Sequence, residues 1–345
     1  MKSRLPAIIT GLILIFVLIG FGTVQDFMPF LQKASSAPES GQSLTPLNNT
    51  TTKGERSNKA EFSRFHKPDR STELASYYDR HLAMKDGKVY GWTGNEKPKL
   101  MLDNAIQVGV SDQVSYALLS SGTLVSWTDE VRDAKEVTRD VSFFSAGKTG
   151  LFVIRKDGSL WRYAAPDQEG VQIASGGIAY ASIGDGADYY ITEQGHVFVK
   201  GLAHRGQYGD GRLESTPDYM KVAEDAVQVK GHTGHAILLK KNGDVQGTGG
   251  NIFGPLSTHG LGDKATTWGT IFHDAKMVAT GASHSAAIRN DNTLWLWGKT
   301  VGTTPVQVME RVVAIAAGTD VTIAKTEDGR IWFWKLGEKP KIWLE

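Results

Sequence analysis

Hydrophobic and polar positions alternate with period two over short runs along most of the chain, and those runs recur at nearly regular intervals. The clearest copy spans Gly281 to Val308 and reads GASHSAAIRNDNTLWLWGKTVGTTPVQV. It predicts a glycine turn, a strand of small residues, an Asp-Asn turn, a Trp-x-Trp strand and a Pro-led strand. Aligned on Asn292, the pattern returns with Gly87, Gly122, Gly158, Gly195, Gly243 and Gly329 at the turn, spaced by 35, 36, 37, 48, 49 and 37 residues. Gly or Asn is expected at these seven positions because a two-residue hairpin turn of type I′ needs φ > 0. Two residues later each unit carries an aliphatic: Val89, Leu124, Leu160, Val197, Val245, Leu294 or Ile331. Five residues after the turn stand Trp92, Trp127, Tyr163, Trp297 and Trp334, with Lys200 and Thr248 as exceptions.

A strand of small and aliphatic residues precedes each turn, and another precedes that one, as AIQVGV, VSFFSAG, GIAYASIG, AVQVKG, KMVATG and VVAIAAG. Gly147, Gly184, Gly281 and Gly318 mark where it ends. A fourth strand follows the aromatic one, as KPKLML, TPVQV and KPKIWL. Four strands in each of seven units predict an all-β fold over 71–345: a seven-bladed β-propeller of four-stranded antiparallel blades. Lys97-Pro98-Lys99-Leu100 and Lys339-Pro340-Lys341-Ile342 make the first and last units look complete. Ring closure by packing and closure by strand exchange both remain open at this level.

Upstream the pattern changes. Lys2 and Arg4 precede an uncharged run from Leu5 to Val24. Twenty residues at helical rise span about 30 Å, the thickness of a bilayer core. The reading is a cytoplasmic 1–4 and a transmembrane signal anchor at 5–24. The alternative is a signal peptide, for which Ser35-Ser36-Ala37 lies far beyond the apolar run and Gly20-Phe21-Gly22 is a weaker cleavage site. Positive charge before the run and Asp26 after it place the remainder outside the cytoplasm, at the cell surface or in the periplasm, or secreted after cleavage. Residues 25–70, rich in Ser, Thr, Asn and Pro, predict a disordered linker. Its sequons at Asn48 and Asn49 read as polar linker.

Composition narrows the chemistry. With no Cys, disulfides and thiolate chemistry are excluded. A net charge of +1 argues against a nucleic-acid partner. His235 and His284 align with each other and read as framework groups bonding neighbouring backbone, and no His-Glu-x-x-His run is present. Gly147-Lys148-Thr149 and Gly298-Lys299-Thr300 lack the earlier glycine of a phosphate loop and the helix to follow it. Gly184-Asp185-Gly186 lacks the alternating acids of a calcium loop. Asp129, Glu130 and Asp133 read as a solvated loop. No metal, cofactor or catalytic residue is predicted.

The two long intervals place extra residues in Gly201–Tyr219 and Thr248–Phe272. In a four-stranded antiparallel blade the first and third connections emerge on one face, so these loops and the glycine turns share it. Arg205, Tyr208, Arg212, Tyr219, Phe253, His259, Trp268 and Phe272 are the candidate binding residues there. Exposed aromatics beside Arg are typical of protein-binding hot spots, and capping of the blade edges is the competing structural role.

The units resemble the repeat of the regulator of chromosome condensation family. Gly281, His284, Ser285, Ala287, Asp291, Leu294, Trp297 and Gly298 match its signature in the sixth unit. Arg205-Gly206-Gln207-Tyr208-Gly209-Asp210-Gly211 resembles its Gly-Gln loop, with Gly260-Leu261-Gly262-Asp263 as a remnant in the fifth unit. The resemblance implies a seven-bladed propeller. Three functions follow as alternatives. The first is a non-catalytic, extracytoplasmic module binding a protein or cell-envelope ligand, with enzyme inhibition as a sub-case. The second is guanine-nucleotide exchange, which the family name suggests. The third is an enzyme with its site at the central channel.

Overall fold

The alternating runs fold into 28 strands among the described residues. The structure, a computed structural model, describes residues 73–128, 133–259 and 262–345. The apolar run at 5–24 and the polar stretch at 25–70 lie outside the described residues. Within each group of four, consecutive strands pair, giving seven four-stranded antiparallel sheets at 74–103, 105–138, 141–174, 178–223, 226–272, 275–309 and 312–344, here blades 1 to 7.

The first strand of every blade is innermost and touches its counterparts around the ring, including Leu74–Tyr77 of blade 1 against Val312–Ala317 of blade 7. Among the described residues no sheet borrows a strand from another blade, so the ring closes by packing. Leu74, Trp92, Val321, Ile323 and Phe333 form that closing core. Trp92 meets Phe333 edge-on at 5.8 Å, and Lys325 pairs with Glu73 at 2.8 Å.

Six of the seven turns differ from expectation. Only Asp86 and Gly87 are both left-handed, with φ of 52° and 72°, as type I′ requires. At Gly122, Gly158, Gly195, Gly243, Asn292 and Gly329 that residue alone has φ > 0. Gly122 N bonds Leu119 O at 2.9 Å while Leu119 N bonds Thr123 O at 2.9 Å. This is a three-residue loop ending in a left-handed bulge residue. The cause is local: Asp157 and Asp291 each accept the backbone N–H two residues on, both at 2.9 Å, which favours this turn.

The same turns stitch the blades together. The carbonyls of Gly122, Gly158, Gly195, Gly243 and Asn292 accept the N–H that opens the next blade, from Val141, Ile178, Ala226, Ala275 and Val312, at 2.8 to 3.3 Å. The chain reaches each new blade through one left-handed residue: Asn104, Asp140, Gly177, Asp225, Asp274 or Arg311.

Between blades the aromatic row packs as its spacing predicts. Trp297 is buried and stacks on Phe272 of blade 5, with ring centroids 5.4 Å apart. A polar latch recurs beside it. His235 Nε2 lies 3.2 Å from Ser285 Oγ of the next blade, and His284 Nε2 lies 3.1 Å from Thr322 Oγ1 of the next. In blade 1 Arg80 takes the histidine position and reaches Ser115 of blade 2 at 3.4 Å. In blade 3 that position is Gly150, and Arg162 uses the space to pair with Asp188 at 3.0 Å. The aligned histidines are framework groups, and their Nε2 partner is the neighbouring blade's hydroxyl. Burial pushes His235 down to about 3 and His284 to about 4, so both are neutral at pH 7.

Candidate functional site

The long third connections of blades 4 and 5 are built to one plan. Gly206-Gln207-Tyr208-Gly209 and Gly254-Pro255-Leu256-Ser257 superpose in their bonding: Gly206 N to Ala203 O and Gly254 N to Asn251 O, then Gly209 N to Gly206 O and Ser257 N to Gly254 O. Their first residues have φ of 86° and 76°, their last 69° and 55°. Each drives one fully buried side chain, Tyr208 or Leu256, into the core as a plug. The fifth unit's counterpart of the Gly-Gln loop is therefore 254–257, not Gly260–Asp263, of which 260 and 261 lie outside the described residues.

Backbone carbonyls of the plugs are held by the following blade. Thr248 Oγ1 donates to Gly206 O at 2.8 Å, and Trp297 Nε1 donates to Pro255 O at 2.7 Å. Both donors sit five residues after their turn. Thr248, an exception to the aromatic row, keeps the donor without the ring. Ser285 Oγ also donates to Pro255 O, at 2.9 Å. Its proton is thereby used, so His235 Nε2 carries the hydrogen in the bond between them. The chain His235, Ser285, Pro255, Trp297 fixes the blade 5 loop to the seam beneath it.

The eight candidate residues separate by depth. Tyr208 and Phe272 are buried and support the surface from below. Tyr208 donates to Gly201 O at 2.6 Å and accepts from Thr216 N at 3.0 Å. Tyr219 and Trp268 are half-buried, Tyr219 against Tyr190 at 5.2 Å and Trp268 over Gly209. The His259 ring covers Gly269 and holds Thr267 O at 2.8 Å. Arg212 is exposed and paired with Asp210. Arg205 and Phe253 stand on the open face. The stretches containing all eight also include the edge strands Thr216–Ala223 and Lys264–Phe272, so they are more than surface loops.

Sequence reasoning missed two exposed aliphatics on this face. Leu202 is 47% exposed and Ile252 63%, beside Phe253 at 53%. Leu202 lies over Gly186, a first connection, which puts first and third connections on one face as the topology requires. The Arg205 side chain crosses Gly234 and Gly250 of blade 5, where a Cβ on Gly234 would stand 2.8 Å from it. Lys299 of blade 6 lies 5.6 Å from the Phe253 ring centroid.

The same face carries a constellation at the central channel, whose cavity is about 140 Å³. Tyr77 of blade 1 donates to Asp185 of blade 4 at 2.6 Å, and Thr233 of blade 5 donates to the other carboxylate oxygen at 3.2 Å. The Tyr77 and His232 rings stack at 5.6 Å. Burial, then the Asp185 carboxylate, pushes the Tyr77 hydroxyl well above the ordinary tyrosine range. Burial pulls His232 down against the opposing pull of Asp185. His232 Nδ1 is 3.5 Å from Asp185 but accepts the Thr233 amide at 2.9 Å, so we treat the ring as neutral, with its proton on a buried, unpartnered Nε2. No local pattern marks this group, because Tyr77 and Asp185 are 108 residues apart. Among the described residues no His/Asp/Glu group is placed to hold a metal, and no helix is long and apolar enough to cross a membrane.

Seven consecutive four-stranded blades, two of them with plugged third connections, define a seven-bladed repeat propeller. Its repeats resemble those of the regulator of chromosome condensation family: curated relatives match in sequence, and solved structures share the fold. The human protein Regulator of chromosome condensation is 29% identical over 174 residues, which cover 44% of this chain and 41% of that protein. The bovine Secretion-regulating guanine nucleotide exchange factor is 26% identical over 189 residues, covering 46% and 41%. The chain thus matches about two fifths of the length of these relatives. Prp20p from Saccharomyces cerevisiae has the same fold, with a TM-score of 0.61 at 15% identity over 73% of this chain and 81% of that one. No family model matches the chain.

Proposed function

We propose that this chain is a non-catalytic docking module, tethered to a membrane by residues 5–24 through a linker, with its propeller outside the cytoplasm. It presents the face of the plugged loops to a protein or cell-envelope ligand. The observation that carries this reading is the group Leu202, Arg205, Ile252 and Phe253, exposed on loops whose bases are fixed in the core. Apolar side chains beside Arg on a preorganised loop bind with little ordering cost. The apolar run at 5–24 supports the tether. Protease added to intact cells tests the location: a C-terminal tag is digested if the propeller is outside and protected if it is not.

Guanine-nucleotide exchange is the second reading, favoured by the names of the curated relatives. The binding of Prp20p to Gsp1p and histones belongs to that protein. A protected C-terminal tag, with accelerated release of labelled GDP from a small GTPase, supports exchange over the first reading.

A further inference from the structure

The plugs show what the space between two blades accepts on this face. In the seam of blades 5 and 6, Ser285 and Trp297 both donate to one carbonyl, Pro255 O, while Leu256 fills the space against Gly247. The seam of blades 1 and 2 repeats the receiving half. Ser115 pairs with Trp127 across its hairpin just as Ser285 pairs with Trp297, and Gly91 occupies the place of Gly247. The giving half differs. The third connection of blade 1, between Thr93 and Lys99, is too short to turn inward. In place of a plug there is a cavity of about 280 Å³ lined by Arg80, Gly91, Met101, Ser115 and Trp127.

Its donors are unused. Neither the Ser115 hydroxyl proton nor the Trp127 indole N–H has an acceptor among the described residues, and Arg80 Nε is buried without a partner. A buried donor such as Arg80 Nε is satisfied by an acceptor in nearly all proteins. Arg80 is held in place by bonds from its Nη1 to Thr128 O at 2.6 Å and to Ser115 at 3.4 Å, which leaves Nε available.

We propose that the seam between blades 1 and 2 is a second docking site, which takes a plug from a partner protein. The plug is a tight turn offering one free backbone carbonyl, followed by a leucine-sized side chain. The chemistry is copied from this chain's own Gly254-Pro255-Leu256 in the matching seam. The carbonyl receives Ser115 and Trp127, and the side chain enters beside Met101, which itself lies over Gly91.

The test is photolabelling of the full chain by a synthetic peptide with the sequence of residues 251–258, carrying a diazirine leucine at the sixth position. Mass spectrometry of the adducts is expected to place the label on Leu82, Met101 or Trp127. Ser115→Ala removes one donor and lowers labelling about five-fold, the worth of one hydrogen bond. Gly91→Val places a Cβ 2.8 Å from the end of the Met101 side chain, which must shift into the cavity, and abolishes labelling. A peptide with Gly in place of the labelled leucine's neighbour Pro and an acetylated Lys in place of the Leu does not compete. Label confined to the seam of blades 5 and 6, or labelling unchanged in Ser115→Ala, overturns the proposal. A cross-link into the cavity from residues 129–132, or from a second copy of the chain, overturns it too.

Discussion

Trp297 of blade 6 donates its indole N–H to the carbonyl of Pro255, a residue of the blade 5 loop, at 2.7 Å. The bond joins the most regular row of the fold to the loop that carries Ile252 and Phe253. Trp297→Ala removes a fully buried ring and should cost about 3–5 kcal/mol in denaturant unfolding. Trp297→Phe keeps most of the packing and leaves Pro255 O to Ser285 alone, so its cost should be about 1 kcal/mol. Equal losses in the two variants would show that the bond, not the packing, dominates.

The buried histidines make stability depend on pH in a definite direction. Burial depresses His81 to about 3, His235 to about 3 and His284 to about 4, well below an unfolded value near 6.5. For a group depressed in the folded state, the neutral form's contribution is whole above about pH 6.5 and is lost as pH falls toward the folded value. Each such histidine steepens that loss by up to about 1.4 kcal/mol per pH unit. His284→Gln should therefore give a shallower decline than the parent between pH 6 and pH 5, read from urea unfolding. Parallel declines would mean that His284 becomes charged in the folded state.

Two loop glycines separate backbone strain from collision. Both have φ near 90°, which disfavours a side chain by roughly 1–2 kcal/mol. A Cβ on Gly211 meets nothing within 4 Å, whereas one on Gly206 would stand 2.5 Å from Ala265 O. Gly211→Ala should show the backbone penalty alone, and Gly206→Ala a clearly larger loss with displacement of the Tyr208 plug. Thermal melting and Tyr208 proteolytic accessibility check the pair.

At the channel, Tyr77 and Asp185 tie blade 1 to blade 4 across the ring. A bond to a charged acceptor is worth about 1.5–3 kcal/mol. Tyr77→Phe should lose part of that, and Tyr77→Phe with Asp185→Asn should lose less than the sum of the single changes. Strict additivity in a double-mutant cycle would show that the two groups do not act together.

Much of this architecture is legible in the chain because repetition enforces it. The turn glycines, the aliphatics two residues on and the aromatics five residues on occupy equivalent places, since each meets the same neighbour in every blade. The ring's closure was not legible: complete first and last units suit packing and strand exchange alike. Nor was the depth of the loop residues. Tyr208 and Phe253 are both aromatics among glycines, and only the plug geometry buries one and exposes the other. The blade 5 plug was hidden because Pro255 and Leu256 keep the backbone of Gln207 and Tyr208 without their side chains. Tyr77, Asp185 and His232 meet only through closure of the ring, which no local pattern records.

The central claim is that the plugged-loop face is where the ligand docks. The most direct measurement places a photoreactive phenylalanine analogue, in intact cells, at position 253, at position 202 and, on the opposite face, at position 242. The account predicts one and the same adduct from 253 and 202, none from 242, and at least a ten-fold loss of that partner's affinity in Phe253→Ala. Adducts from 242 alone, or equal adducts from all three positions, would contradict it.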